Sequence, residues 1–146
     1  MKYTLQEGSF SLFPAAWQDN SMNIIRDDES GLSVVVSRGA IPDGSDYEKE
    51  FHRQWDVLRP QMGEIAQSEF RHVKAGPDGK ITGLEVETHF DHNGQRLWQK
   101  QLAVQTPGKS VLMIFTLSAL RAFSEEDEGR WGALKQSLTL NDNRNV

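Results

Sequence analysis

Hydrophobic and polar positions alternate along much of the chain, and that period of two marks strands. In 32–38, Val34 and Val36 point one way and into a core, while Ser33, Val35 and Ser37 point the other. The second face is neither charged nor fully apolar, with two short hydroxyls around one aliphatic side chain. Further strand-like runs cover 69–75, 80–90, 95–105 and 110–120. The turn signals Gly76-Pro77-Asp78-Gly79, His92-Asn93-Gly94 and Thr106-Pro107-Gly108 separate them. Loops this short predict an antiparallel meander of hairpins rather than parallel βαβ units. The N-terminal third adds strands near 8–12, 21–26 and 32–38.

Two helices are predicted from their start signals. Ser45-Asp46-Tyr47-Glu48 has the form of a capping box with Ser45 as the cap, so a helix should begin at about Asp46. Pro60 should kink or end its regular part, with Gly63 a further weak point. Ser124-Glu125-Glu126-Asp127 opens a second helix with acids in its first turn and Trp131, Leu134 and Leu138 on one stripe. In 80–90, Leu84, Val86, Thr88 and Phe90 oppose Glu85, Glu87 and His89, the pattern of a strand with one face in water. The run 110–120 is apolar on both faces, with Val111, Met113, Phe115 and Leu117 opposed to Leu112, Ile114 and Leu120. Each side therefore needs a cover, from the protein's own core and from a helix, a second subunit or a ligand.

The chain of 146 residues has the length of one domain, taken here as 1–146, and its 37% hydrophobic and 25% charged residues are those of a folded soluble protein. No run is long enough and apolar enough for a membrane span, and the N-terminal stretch lacks the apolar core of a secretory signal. Without cysteine there is no disulfide framework or thiol nucleophile. The expected compartment is the cytoplasm. A net charge of −5, with the sixteen Lys and Arg scattered singly, argues against a nucleic-acid partner.

Signatures of catalysis are missing: the sequence contains no GxGxxG, GxxxxGK[ST], HExxH, GxSxG or EF-hand loop. His89-Phe90-Asp91-His92 is the densest ionisable cluster and falls at a hairpin tip, where a solvated loop is favoured over a metal site. His52 and His72 lack sequence-local acid or nucleophile partners, and Asp27-Asp28-Glu29 reads as a charged turn. Glu85 and Glu87 share a strand face, a commonplace of wet strands. The expectation is a protein that is not an enzyme and that takes no cofactor and no metal.

What remains is the mixed face, and it recurs. Met22 and Ile24 share one side of their segment; Leu97, Gln99, Gln101 and Ala103 share a face of 95–105; and Phe51, Gln54, Leu58 and Met62 form one stripe of the first helix. If these elements are neighbours, they make a concave apolar surface with uncharged polar handles. Interfaces between transmembrane helices combine aliphatic, small and uncharged polar groups in the same way.

The stretches MKYTL, GSFSLFPAAWQDNSMNII, GLSVVVSRG, DYEKEFHRQWDVLRPQM, GQRLWQKQLAV and KSVLMIFTLSA resemble, in order and spacing, the Eag chaperones of bacterial type VI secretion, members of the DcrB-like domain family. The resemblance implies an α+β, DcrB/PsbP-like fold: a curved antiparallel β-sheet packed on a long helix, with a second C-terminal helix. It implies a homodimer whose hydrophobic groove holds the N-terminal transmembrane helices of PAAR-domain, Rhs-type effectors in the cytoplasm before they are loaded on the secretion spike. Carried over by position, the apolar lining falls on Met22, Ile24, Val35, Leu58, Met62 and Leu97, and the polar handles on Ser33, Ser37, Gln54 and Gln101. Two other classes stand beside it. A small-molecule carrier or enzyme would need a closed pocket with a charged or catalytic group inside. A small dimeric structural or adaptor subunit would use the apolar face as a permanent interface with no client.

Overall fold

The computed structural model describes residues 1–141. In chain order the elements are β1 (Lys2–Thr4), β2 (Ser9–Ser11), β3 (Asn23–Asp27), β4 (Leu32–Ala40), α1 (Tyr47–Leu58), β5 (Ile65–Gln67), β6 (Arg71–Ala75), β7 (Ile81–His92), β8 (Gln95–Gln105), β9 (Val111–Ala119) and α2 (Glu125–Ser137). β1 and β2 form a small hairpin of their own. The others make one seven-stranded antiparallel sheet in the order β3-β4-β9-β8-β7-β5, with β6 also paired to β7. β5 takes the stretch of β7 at 88–90 and β6 the stretch at 81–85, so the two share its outer edge. The predicted meander is there as β6-β7-β8-β9. Between β7 and β8 the turn is tight because Asn93 and Gly94 both adopt positive φ, 52° and 80°, the conformation a two-residue hairpin requires.

Both faces of the sheet are covered, one helix to each. Leu102, Val104, Phe115 and Leu117 pack with Trp131 of α2, and Val34, Val36, Met113, Leu134 and Leu138 close around them. On the opposite face Leu84, Val86, Ala103, Leu112 and Ile114 pack with Phe51 and Trp55 of α1. The double-sided apolarity of 110–120 thus has both covers within this chain, although Leu120 falls beyond β9 and is exposed. Each fully buried large side chain contributes roughly 1.5–3 kcal/mol relative to exposure, so Phe51 and Trp55 alone go far towards holding α1 on the sheet.

Several expectations need correction. The helix of the first layer is not long: α1 has 12 residues and passes into a three-residue 3-10 turn, Arg59–Gln61. Pro60, with no N–H to give the ladder, stops it there. Its cap is Asp46 rather than Ser45; the Asp46 carboxylate accepts from the Lys49 amide at 2.8 Å. Aspartate competes well with serine for that role, and one residue's shift decides which side chain reaches the third amide. Strand 21–26 starts later, at Asn23, and β1 and β5 carry only three residues each, too short for a periodic signal.

Only part of the Glu85 face is in water: Glu87 is exposed and His89 half-buried, but Glu85 is covered. Glu85 is buried under α2, where it accepts from Arg71, from Lys135 Nζ at 2.6 Å and from Trp131 Nε1 at 3.2 Å. Burial works to raise its pKa, but the bonds from Lys135 and Arg71 prevail and hold the carboxyl below its ordinary value. Beside it the buried Lys100 Nζ bridges Glu87 at 3.0 Å and Glu128 at 2.8 Å. A strand face patterned for solvent is instead tied to a helix by charge.

Candidate functional site

The register of the sheet stacks the mixed faces into rows. Ile24, Val35, Thr116, Gln101 and Val86 lie in one row across five strands. The next row is Arg26, Ser33, Ser118, Gln99 and Thr88, and on the other side lie Ser37, Ile114, Ala103 and Leu84. Directly opposed residues share a face, so all three rows lie on the side that carries α1. Beyond the helix they run out over β4 and β3. There Ser33, Val35 and Ser37 are half-buried and Ile24 is 70% exposed.

Against α1 the rows end in a cavity of about 570 Å³. Gln54, Leu58 and Met62 line it from the helix side, and Leu97, Gln99 and Gln101 line it from β8. Phe51, Trp55 and Ile114 close its base. The helix stripe at spacings of three and four does face the strand with the interleaved glutamines. Five of the ten residues carried over from the resemblance, Gln54, Leu58, Met62, Leu97 and Gln101, meet there. Ile24, Val35, Ser33 and Ser37 share the face but lie outside the cavity, and Met22, exposed, immediately precedes β3.

The polar groups of this surface are uncharged, and several of them bond one another. Trp55 Nε1 donates to Gln101 Oε1 at 3.0 Å, Gln101 Nε2 donates to Thr116 Oγ1 at 3.1 Å, and Gln99 Nε2 donates to Ser118 Oγ at 3.4 Å. Thr88 Oγ1, at the end of the Ser33 row, is buried with no hydrogen-bond partner. Charge appears only at the margins: Asp91 and His92 at one mouth of the cavity, with Asp91 paired to Arg96 at 3.1 Å, and Arg26 at the outer end of the Ser33 row.

Glu85 and Glu87 project from the other face and are engaged with Arg71, Lys135 and Lys100. Of the histidines, His72 meets Glu48 at 2.8 Å, and His89 stacks near Trp98. Among the described residues no three His, Asp or Glu side chains converge as a metal site. What the surface can do is hold apolar matter and offer it a few neutral hydrogen bonds.

Three contributors to the site did not emerge from the sequence. Thr116 and Ser118 alternate with Leu112 and Ile114 on β9, so the period of two already placed them on this face, but the aliphatic residues around them masked the signal. Trp55 lies one position from the Phe51, Gln54, Leu58 stripe and reads as core.

The architecture defines an α+β protein in which an antiparallel sheet carries one helix on each face. The chain matches the DcrB family over residues 7–137 and belongs to it. No curated protein matches it. Among solved structures it is similar to the crystal structure of PA94 from Pseudomonas aeruginosa, described as a protein of unknown function and conjectured to be a regulator. The two are 22% identical over 98% of each chain, with a TM-score of 0.75. At that identity the likeness is one of fold.

Proposed function

We propose that this protein is a cytoplasmic chaperone of type VI secretion that shelters the N-terminal transmembrane helices of a PAAR-domain, Rhs-type effector, acting as a homodimer. One observation carries the reading: an open surface where Ile24, Val35 and Leu97 of the sheet, with Leu58 and Met62 from the helix side, are interleaved with uncharged hydroxyls and amides. The Eag resemblance supplies the identity of the client. None of the described helices is long and apolar enough to cross a membrane.

A membrane-spanning helix in water exposes about twenty apolar residues, each costing on the order of 1.5–3 kcal/mol relative to burial. Sheltering it therefore demands aliphatic area, which the rows over β3, β4 and β8 supply. The client's own backbone is already paired within its helix, so Ser33, Ser37, Gln54 and Gln101 bond its side chains or add to its carbonyls. They set specificity while the aliphatic residues set affinity.

The test is co-expression with the N-terminal apolar segment of an effector from the same locus, followed by size-exclusion chromatography with light scattering. A soluble complex holding two copies of this chain is expected. The rival, a small dimeric structural or adaptor subunit, draws on the edge strand β3, whose Ile24 and Ile25 point to opposite faces and are 70% and 63% exposed. That rival predicts a clean dimer that leaves the apolar segment insoluble.

A further inference from the structure

We infer that Trp55 is a positioning residue that sets the hydrogen-bond polarity of the groove, turning the Gln101 amide so that it presents a donor and favours acceptor atoms in the ligand. The inference rests on the groove reading above.

It begins with what an indole can do. Trp55 Nε1 is a donor and never an acceptor. Its 3.0 Å contact with Gln101 therefore requires the amide oxygen at that end, which fixes an orientation that is otherwise free to flip. With Oε1 held, Nε2 is turned towards Thr116 Oγ1, 3.1 Å away. One of its two hydrogens goes to that bond, and the other remains unspent. Thr116, buried and outside the cavity lining, ends the relay as acceptor. The relay from Trp55 to Gln101 to Thr116 leaves the second amide hydrogen of Gln101 as its loose end towards the cavity.

The neighbouring pair shows what the relay adds. Gln99 donates to Ser118 in the next row, at 3.4 Å, but no indole holds its oxygen. Its amide is free to offer either end. Trp55 itself is 4% exposed, and Phe51 and Ile114 pack in the same cluster, so its ring does not swing away. Gln101 faces the cavity among Leu58, Met62 and Leu97, where little water competes. An apolar helix with an acceptor on its buried face, such as an ether, a hydroxyl or a carbonyl, gains a bond there. A ligand offering only a donor is left with the second lone pair of an oxygen that already takes the indole hydrogen.

The test uses two synthetic apolar helices of about twenty residues, identical except that one carries O-methylserine at a central position and the other norvaline. The two side chains have nearly the same shape, but only the ether accepts a hydrogen bond. Binding is read by titration in mild detergent against wild type, Trp55→Phe, Gln101→Leu and Gln99→Leu. Folding is checked by circular dichroism, and the side-chain amide resonances of Gln101 are followed by NMR in the free protein. Wild type should prefer the ether helix by about fivefold, the factor that one net hydrogen bond of roughly 1 kcal/mol corresponds to. Gln101→Leu should abolish the preference and Trp55→Phe should reduce it, since the released amide then offers either end, both variants still binding both helices; Gln99→Leu should keep it. The Gln101 amide resonances should shift in Trp55→Phe beyond what ring replacement produces at Gln99.

A preference that survives undiminished in folded Trp55→Phe, or that disappears in Gln99→Leu alone, overturns the inference, as does wild type binding both helices equally. Failure of wild type to bind either helix strikes at the groove reading instead, and with it the selectivity. The NMR comparison still shows in that case whether Trp55 holds the amide.

Discussion

A methyl group added at Gly83 would lie 2.7 Å from Leu102 Cδ1 and 3.1 Å from the Ala103 carbonyl oxygen. The position is closed on the side that supports α2, so Gly83→Ala should cost about 1–3 kcal/mol in urea denaturation; an unchanged midpoint would show that the core yields there. Val35 presents the opposite case. It is half-buried on the open face, so Val35→Asp should leave melting near wild type and abolish binding of the apolar segment in co-expression. Leu97→Asp at the cavity wall should do the same, and unfolding of either variant would place that side chain in the core. At this scale the sequence was a good guide wherever a residue's own face decided its role. Val35, Leu97 and Gln101 each sit on the side that alternation assigned. It was a poor guide where a distant group intervenes: nothing local to Glu85 announces Lys135 or Trp131, and so a buried, charge-tied residue read as a wet one.

Of the two helices, α2 advertises its start more plainly. Ser124 Oγ accepts from the Asp127 amide at 3.2 Å, and the Asp127 carboxylate accepts from the Ser124 amide at 2.9 Å, a complete capping box. Ser124→Ala should therefore lower stability by about 1 kcal/mol, measured by thermal or chemical unfolding. Asp127 does more than cap. Hydrogen bonding from Arg121 holds its carboxyl well below the ordinary value of 3.8, burial opposes the shift, and bonds from Ser124 reinforce it. A depressed carboxyl stabilises the fold above its unfolded pKa, and the contribution drains away as pH falls from about 4 towards the lower folded value. Asp127→Asn should thus lower the melting temperature at pH 7 and narrow the gap between melts at pH 7 and pH 3. An equal gap in wild type and variant would remove Asp127 from the acid response. Helix starts and stops were legible because they obey local chemistry, as Ser124 and Pro60 show. Asp46 took the cap from Ser45 because adjacent polar residues can both serve, and the backbone entering α1 selects between them.

At the level of the whole molecule, the pairing that matters most is the least visible in sequence. Ser33 lies opposite Ser118 and Ala40 opposite Val111. No turn signal or periodicity relates β4 to β9, so the chain pattern supplied the mixed face of β4 without showing which strand adjoins it. The meander β6-β7-β8-β9, by contrast, was readable from its short turns, because each of its strands pairs with the next. Its hairpins form from near neighbours, whereas β4 must find a partner made much later, and such non-local contacts are slow to close. Translation at roughly 5–20 residues per second leaves β4 waiting several seconds while α1 and the whole meander are made. The floor under Ser33, Val35 and Ser37 exists only once β9 has left the ribosome. A nascent chain that exposes β3 and β4 has apolar strands without the neighbour that completes their sheet, and at that stage it needs protection itself.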